Sequence, residues 1–224
     1  MAEQVGLRER KRQRTHDAVS AAAISMFLEH GFDRVSVADI AAAAEVSKPT
    51  LFRYFRSKED LVLHRIADHE GEAARVVRRR SASQGPLAAL HEHFLDGLAR
   101  RDPVTGLNDD PEVLAFHNMI FSTPSLAARL NEYTARDEEA LADALVQTAR
   151  IPDQLTARLA AAQIIAAQRI LARENWRRLA AGETAASLYD TAKAAADNAF
   201  RLLTSGLGRL ATGRPGAPRS DATS

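Results

Sequence analysis

Residues 35–58 read VSVADIAAAAEVSKPTLFRYFRSK, two short helical patterns separated by a turn. Ser36 stands where a helix cap belongs, and Asp39 follows three residues later, which resembles a capping box with Asp in the place more often held by Glu. Val37, Ile40, Ala41 and Ala44 then recur at helical spacing and put one apolar stripe on the first helix. Glu45-Val46 makes the turn. Ser47 caps the second helix, which tolerates Pro49 in its first turn and runs to about Tyr54. Leu51 and Phe55 stand four apart and pack inward. Lys48, Thr50, Arg53 and Tyr54 are left to point wholly or partly outward. These side chains are donors, a methyl and an aromatic, the types that meet phosphates and base edges in a major groove. Two helices of this size around a tight turn fit a helix-turn-helix, whose second helix leads into the groove with its N-terminal residues: here Ser47, Lys48, Pro49 and Thr50.

Helix signals continue on either side. Val19, Ala22, Ala23, Met26 and Phe27 predict a first helix over 15–30, stopped by Gly31. Ser57 and Asp60 start a fourth helix expected to run to about Arg80. Ser81 to Pro86 breaks the chain. Further helices are predicted near 87–100, 112–121, from Thr123-Pro124 to about Arg150, over 153–181, and from Thr184 to about Ser205. The expected fold is all-α with about nine helices: a basic arm over 1–14, a three-helix DNA-binding domain over 15–66, a larger helical domain over 67–205, and an unstructured tail over 206–224. Arg8, Arg10, Lys11, Arg12 and Arg14 against the single acid Glu9 make that arm a candidate to lie along phosphates, or a solubilising tail.

Composition narrows the function classes. The formal net charge of +1 argues neither for nor against nucleic acid, so the distribution of charge matters more than its total. The absence of cysteine removes thiolate zinc sites, disulfides and cysteine nucleophiles. G-x-S-x-G, H-E-x-x-H and Gly-rich phosphate loops are missing, so no residue is assigned to catalysis, no metal ligand is named and no cofactor is expected. His91 and His93 are two apart, diverge on a helix and make a poor metal pair. No run approaches the roughly 18 apolar residues of a membrane span, and the basic N-terminus lacks the apolar segment of a secretory signal, so a cytoplasmic protein without membrane contact is expected.

Over 15–66 the chain resembles the DNA-binding domain of the TetR family of transcriptional regulators. The likeness is carried by Phe27-Leu-Glu-His-Gly-Phe32, Ser36-Val-Ala-Asp-Ile-Ala41, Ala44-Glu-Val-Ser-Lys-Pro-Thr-Leu-Phe-Arg-Tyr-Phe55 and Ser57-Lys-Glu-Asp-Leu61. The resemblance implies that Ser36 and Val37 approach the DNA backbone and that Lys48, Pro49, Thr50, Arg53 and Tyr54 face the groove. It further implies that Lys58 grips a phosphate at a helix N-terminus. Two residues depart from the family pattern: Glu45 stands where Gly is usual, and Phe52 replaces the commoner Tyr and loses its hydroxyl.

For the rest of the chain the resemblance implies a domain that binds a small, unidentified ligand and forms a homodimer through the last two long helices, about 156–181 and 184–205. Leu159, Ala162, Gln163, Ala166, Ile170 and Arg173 form a stripe on one; Ala192, Ala195, Ala196, Ala199, Leu202 and Leu203 form one on the other, and either would also serve as internal core. A two-fold dimer calls for a roughly palindromic operator on double-stranded DNA. Candidate ligand contacts are His91, Phe94, His117, Phe121, Arg169 and Trp176, each also readable as ordinary packing or surface. Arg78 to Arg80 reads as a solvated helix end that an anionic head group could use. The expected function is a sequence-specific repressor released by its ligand; the alternative is a helical DNA-binding adaptor or architectural protein with no effector.

Overall fold

The structure is a computed structural model that describes residues 2–67, 69–149, 151 and 153–206, with the side chains of 2–9, 11 and 67 excluded. Among the described residues there are ten α-helices, two short 3-10 turns and no strand. The chain divides into two compact units: 1–69 with 111–132, and 70–110 with the residues from 133 onward.

The first unit holds α1 (Ala2–His30), α2 (Val37–Ala43), α3 (Lys48–Tyr54) and α4 (Lys58–Ala67). It also takes α7 (Pro111–Ser122) and the opening turns of α8 (Pro124–Ala149). Its core gathers Val19, Ala23 and Phe27 of α1, Phe32, Ile40, Leu51, Phe55, and Leu61, Val62 and Leu63 of α4. The Ser20 hydroxyl donates to the Leu61 carbonyl at 2.9 Å, which ties α1 to α4 through a buried polar contact. One boundary at residue 66 was expected. Instead α7 packs on α1, and Arg129 of α8 donates to Asp60 of α4 at 2.9 Å, so this later segment belongs with the first unit.

α1 begins at Ala2 rather than Thr15. Residues 7–14 are almost all strong helix formers, so nothing in the basic run interrupts the backbone ladder. Arg10, Arg12 and Arg14 are exposed on this helix.

The second unit holds α5 (Glu72–Arg79), α6 (Pro86–Ala99), the later part of α8, α9 (Gln154–Ala180) and α10 (Ala185–Gly206). α6 packs on α5 and α10, and α9 packs on α10. The core is Leu87, Leu90, Phe94 and Leu98 of α6 with Leu141, Leu145, Ile164, Leu188, Ala196 and Phe200. The single helix expected over 57–80 is two helices. A turn closed by His69 N–H to the Ile66 carbonyl at 3.0 Å leads to Gly71, whose φ of 72° is left-handed. The Gly71 N–H donates to Asp137 Oδ1 at 2.6 Å, so α8 anchors the break. The chain beyond Gly206, expected as an unstructured tail, lies outside the described residues.

The connection from α6 to α7 is held against α9. Asn175 donates to the Thr105 carbonyl at 2.9 Å inside the core. The backbone at Gly106 passes so near α9 that a Cβ there would sit 1.9 Å from the Ala172 carbonyl oxygen. Only glycine fits.

Candidate nucleic-acid interface

The predicted capping box at α2 is present. Ser36 Oγ accepts from the Asp39 N–H at 3.2 Å, and Asp39 Oδ2 accepts from the Ser36 N–H at 2.9 Å. The hydrogen bond from the Ser36 side chain, with that from its backbone, holds the Asp39 carboxyl below its ordinary pKa. After α2 the chain turns through three bonds: Ala44 N–H to Ile40 O at 2.9 Å, Glu45 N–H to Ala42 O at 3.1 Å and Val46 N–H to Ala41 O at 2.9 Å. This is a helix stop of the kind that wants a left-handed residue after the cap. Glu45 occupies it with φ 53°. The turn therefore has the shape glycine would give, with a glutamate in the strained position.

α3 starts at a second cap. The Thr50 N–H donates to Ser47 Oγ at 3.2 Å, and the two hydroxyls lie 2.8 Å apart. Pro49 sits in the first turn. Leu51 and Phe55 face the core as expected, and the rest of the helix is turned outward. Ser47, Lys48, Pro49 and Arg53 are exposed, Thr50 and Tyr54 half-buried. Phe52 is half-exposed and presents an apolar ring among these polar neighbours. Ser36 is exposed and Val37 half-buried at the start of α2. The arrangement presents a short helix whose N-terminal N–H groups and outward cations suit an anionic backbone, with a ring and a methyl beside them.

Lys58 behaves differently from the simple expectation. Its ammonium donates to the Phe32 carbonyl and lies over the rings of Phe32 and Phe27, 4.3 and 5.4 Å from their centroids. An ammonium has three donors, so this internal bond restrains the group without using all of it. Arg56 is exposed just beyond α3, and the helical pattern does not single it out because it falls after that pattern ends. The signal was there in the cationic pair Arg53 and Arg56 around the aromatic end of the helix.

The six ligand candidates fall in separate places. His91 Nε2 lies 2.8 Å from Asp197 Oδ1 and the ring stacks on Phe200 at 4.8 Å, with buried Phe94 on the same ring at 6.5 Å, so this group joins α6 to α10. Arg169 is exposed on the outer face of α9 beside Ile170. Trp176 is half-buried on α9 with its ring nitrogen covered. His117 and Phe121 belong to the first unit, stacked at 6.1 Å. His117 Nδ1 is buried without a hydrogen-bond partner, and burial lowers its pKa to about 4. His91 and His93 do diverge, since His93 pairs with Glu72 at 3.1 Å. That hydrogen bond raises the His93 pKa above its ordinary value.

A cavity of about 530 Å³ opens on the second unit, lined by Glu72, Arg75, Arg79, Arg80, Glu92 and His93 among others, and none of the six candidates lines it. Arg80 is not a solvated helix end. It donates to the carbonyls of Val77 and Thr148 at 2.6 and 2.8 Å and to the Thr148 hydroxyl at 2.8 Å, fastening the end of α5 to α8.

The stripe on α9 is outward over its length: Leu159, Gln163, Ala166, Ile170 and Arg173 are exposed and Ala162 half-buried. Ile170 is 69% exposed and Leu155, on the same helix, 68%. The stripe on α10 divides. Ala192, Ala196 and Leu203 are buried in the second unit, while Ala195 and Leu202 are exposed and Ala199 half-buried. Small residues occupy both faces of α10, so the sequence pattern does not separate the buried face from the exposed one. Among the described residues no helix is long and apolar enough to cross a membrane.

Residues 20–64 match the family described as "Bacterial regulatory proteins, tetR family". The HTH-type transcriptional regulator TcmR of Streptomyces glaucescens is 36% identical over 135 residues, a match covering 60% of this chain and 58% of TcmR. The chain thus spans under two thirds of that relative's length. Among solved structures, GusR of Salmonella enterica superposes with TM-score 0.55 at 21% identity, covering 88% of this chain and 95% of GusR. NalD of Pseudomonas aeruginosa, described as the secondary repressor of the MexAB-OprM multidrug efflux pump, does so with TM-score 0.54 at 18% identity, covering 88% and 97%. At these identities the structural likeness bears on the fold.

Proposed function

We propose that the chain is a TetR-family transcriptional regulator, a sequence-specific repressor that leaves its operator when a small molecule binds; the match of residues 20–64 to that family and the 36% identity with TcmR support the reading. The observation that carries the DNA-binding part is the outward set on α3: exposed Lys48, Pro49 and Arg53 behind a Ser47 cap, with Leu51 and Phe55 anchoring the opposite face. Arg53 reads a base edge; Ser47, Lys48, Pro49, Thr50 and Tyr54 meet the groove around it; Ser36 and Val37 approach the backbone. Lys58, restrained by the Phe32 carbonyl, offers its remaining donors to a phosphate. Such a regulator works in the cytoplasm, beside the DNA.

The homodimer forms through α9 and α10. Support comes from the apolar face these helices leave uncovered, with Leu155, Leu159, Ile170 and Leu202 all more than half exposed. A lone chain has little reason to keep so many large apolar groups in water on neighbouring helices. Two copies related by a two-fold axis present two α3 helices to equivalent half-sites of a roughly palindromic operator. Repression is taken from relatives such as NalD, described as a repressor. For the effector, the buried and unpartnered His117 Nδ1 is a polar atom that a ligand group can satisfy. Effector and operator binding then oppose each other reciprocally, because each favours a different state of the dimer.

The test is binding to the DNA upstream of its own gene at about 50 mM salt, followed by footprinting. A discrete protected window is expected. Arg53→Ala should cost about 1–3 kcal/mol and relax preference at particular bases, and Lys58→Ala should weaken all sequences alike and reduce the salt slope by about one. Sequence-blind protection, or an unchanged preference in Arg53→Ala, would instead favour an architectural protein.

A further inference from the structure

We propose that His16, Asp17 and His64 form a site for a divalent transition-metal ion of the zinc class within the helix-turn-helix unit. The proposal is independent of DNA binding. Asp17 Oδ1 lies 3.4 Å from His16 Nδ1 and 3.7 Å from His64 Nε2, and one ligand atom from each residue lies within 4.8 Å of the other two. The His16–Asp17 contact is a long hydrogen bond, and the 3.7 Å from Asp17 to His64 exceeds one. Both distances also suit coordination. Ligands about 2.0–2.2 Å from a tetrahedral ion stand roughly 3.3–3.6 Å apart, so two edges of the tetrahedron are nearly formed.

The surroundings hold these groups in place. The His16 ring stacks on Phe55 at 4.4 Å with 19° between planes, and meets His64 edge-on at 3.9 Å and 88°. Both imidazoles are largely covered, with side-chain exposures of 20% and 18%, while Asp17 at 56% leaves a route for the ion and room for a water as fourth ligand. Gln13 donates to Asp17 Oδ1 at 2.9 Å and orients the carboxylate from the preceding turn of α1, the support that ligating carboxylates commonly have. Two imidazoles and one carboxylate suit zinc, nickel, cobalt or copper, and are too nitrogen-rich for magnesium or calcium.

The ion would clip α1 to α4 where both meet the end of α3. Phe55 follows α3 directly, and Tyr54, its last residue, approaches His16 at 6.1 Å. Because the site is shaped only in the folded unit, an ion bound there stabilises that unit by mass action.

The experiment uses the full-length untagged chain, stripped with a chelator and titrated with zinc chloride by calorimetry and by thermal unfolding. One ion per chain is expected, with Kd at or below about 10 µM, a zinc-dependent rise in Tm, and visible absorption typical of tetrahedral cobalt on substitution with Co²⁺. His64→Ala and Asp17→Asn should each weaken binding at least ~10-fold, and His91→Ala should leave it unchanged. His64→Phe keeps a ring against Phe55 and reads the same loss should the alanine variant fail to fold. Absence of saturable binding below about 1 mM, or affinity kept within ~2-fold in both His16→Ala and His64→Phe, overturns the proposal.

Discussion

Glu45 and Gly106 both take left-handed backbone, with φ 53° and 71°, yet they answer to different physics. Glu45 closes an exposed turn between two helices that are already capped, and its side chain stands in solvent. The strain there is local, on the order of 1 kcal/mol, and the turn bonds of Ala44 and Val46 outweigh it. Gly106 lies against the backbone of α9, where no side chain of any kind can stand. The turn at Glu45 thus shows structure written in neighbouring residues, and the turn at Gly106 shows structure imposed by a segment far away in the chain.

The sharpest way to break that contrast is Gly106→Ala. The added methyl must displace the backbone of α9 and pull Asn175 away from the Thr105 carbonyl, so a loss of at least ~3 kcal/mol is expected in urea unfolding. A loss below ~1 kcal/mol would mean that the α6–α7 connection yields easily and is not held by close approach.

Titration separates a local cause from a non-local one inside the first unit. His117 owes its lowered pKa of about 4 to burial, a non-local cause, whereas Asp39 owes its depressed value to the Ser36 hydrogen bonds beside it. The folded chain resists protonating His117 and the unfolded chain does not, so its stabilising contribution is full above pH 6.5 and is lost as pH falls toward 4. Asp39 contributes above its unfolded value of 3.8 and loses that contribution only as pH falls further. Between pH 7.5 and 5 the chain should therefore lose stability through His117, by about 2 kcal/mol. His117→Phe should remove that part of the pH dependence, read as a smaller shift of the denaturation midpoint between the two pH values.

Two smaller effects test the local side. Ser47→Ala deletes the cap of α3 and should cost about 1 kcal/mol, with a matching loss of DNA affinity if that cap sets the helix. Glu45→Gly should gain up to about 1 kcal/mol by relieving the left-handed strain, reduced by the greater freedom of glycine in the unfolded chain. If the midpoint falls, the glutamate side chain contributes a contact beyond the turn geometry.

Much of the helix-turn-helix was legible in advance. Ser36, Asp39, Ser47 and Ser57 make the caps their positions announced, because a cap bonds to an N–H two or three residues away. Leu51 and Phe55 went inward and Arg53 outward for a similar reason: one helical turn sorts them. The glutamate in the glycine position was visible as a departure, and its left-handed φ gives that departure a physical form. The division of the fourth helix at Gly71 was not legible, because Asp137, which takes up the Gly71 N–H, lies 66 residues on.

By itself, then, the order of residues determined where helices start and stop and which side chains of α3 face outward, since those outcomes depend on partners within a turn or two. Only the tertiary structure decided that 111–132 joins the first unit, that α10 buries Ala192 and Ala196 while leaving Ala195 and Leu202 in solvent, and that His16, Asp17 and His64 meet. Burial and close approach are properties of what a segment packs against, and identical small residues on two faces of a helix carry no mark of which face will be covered.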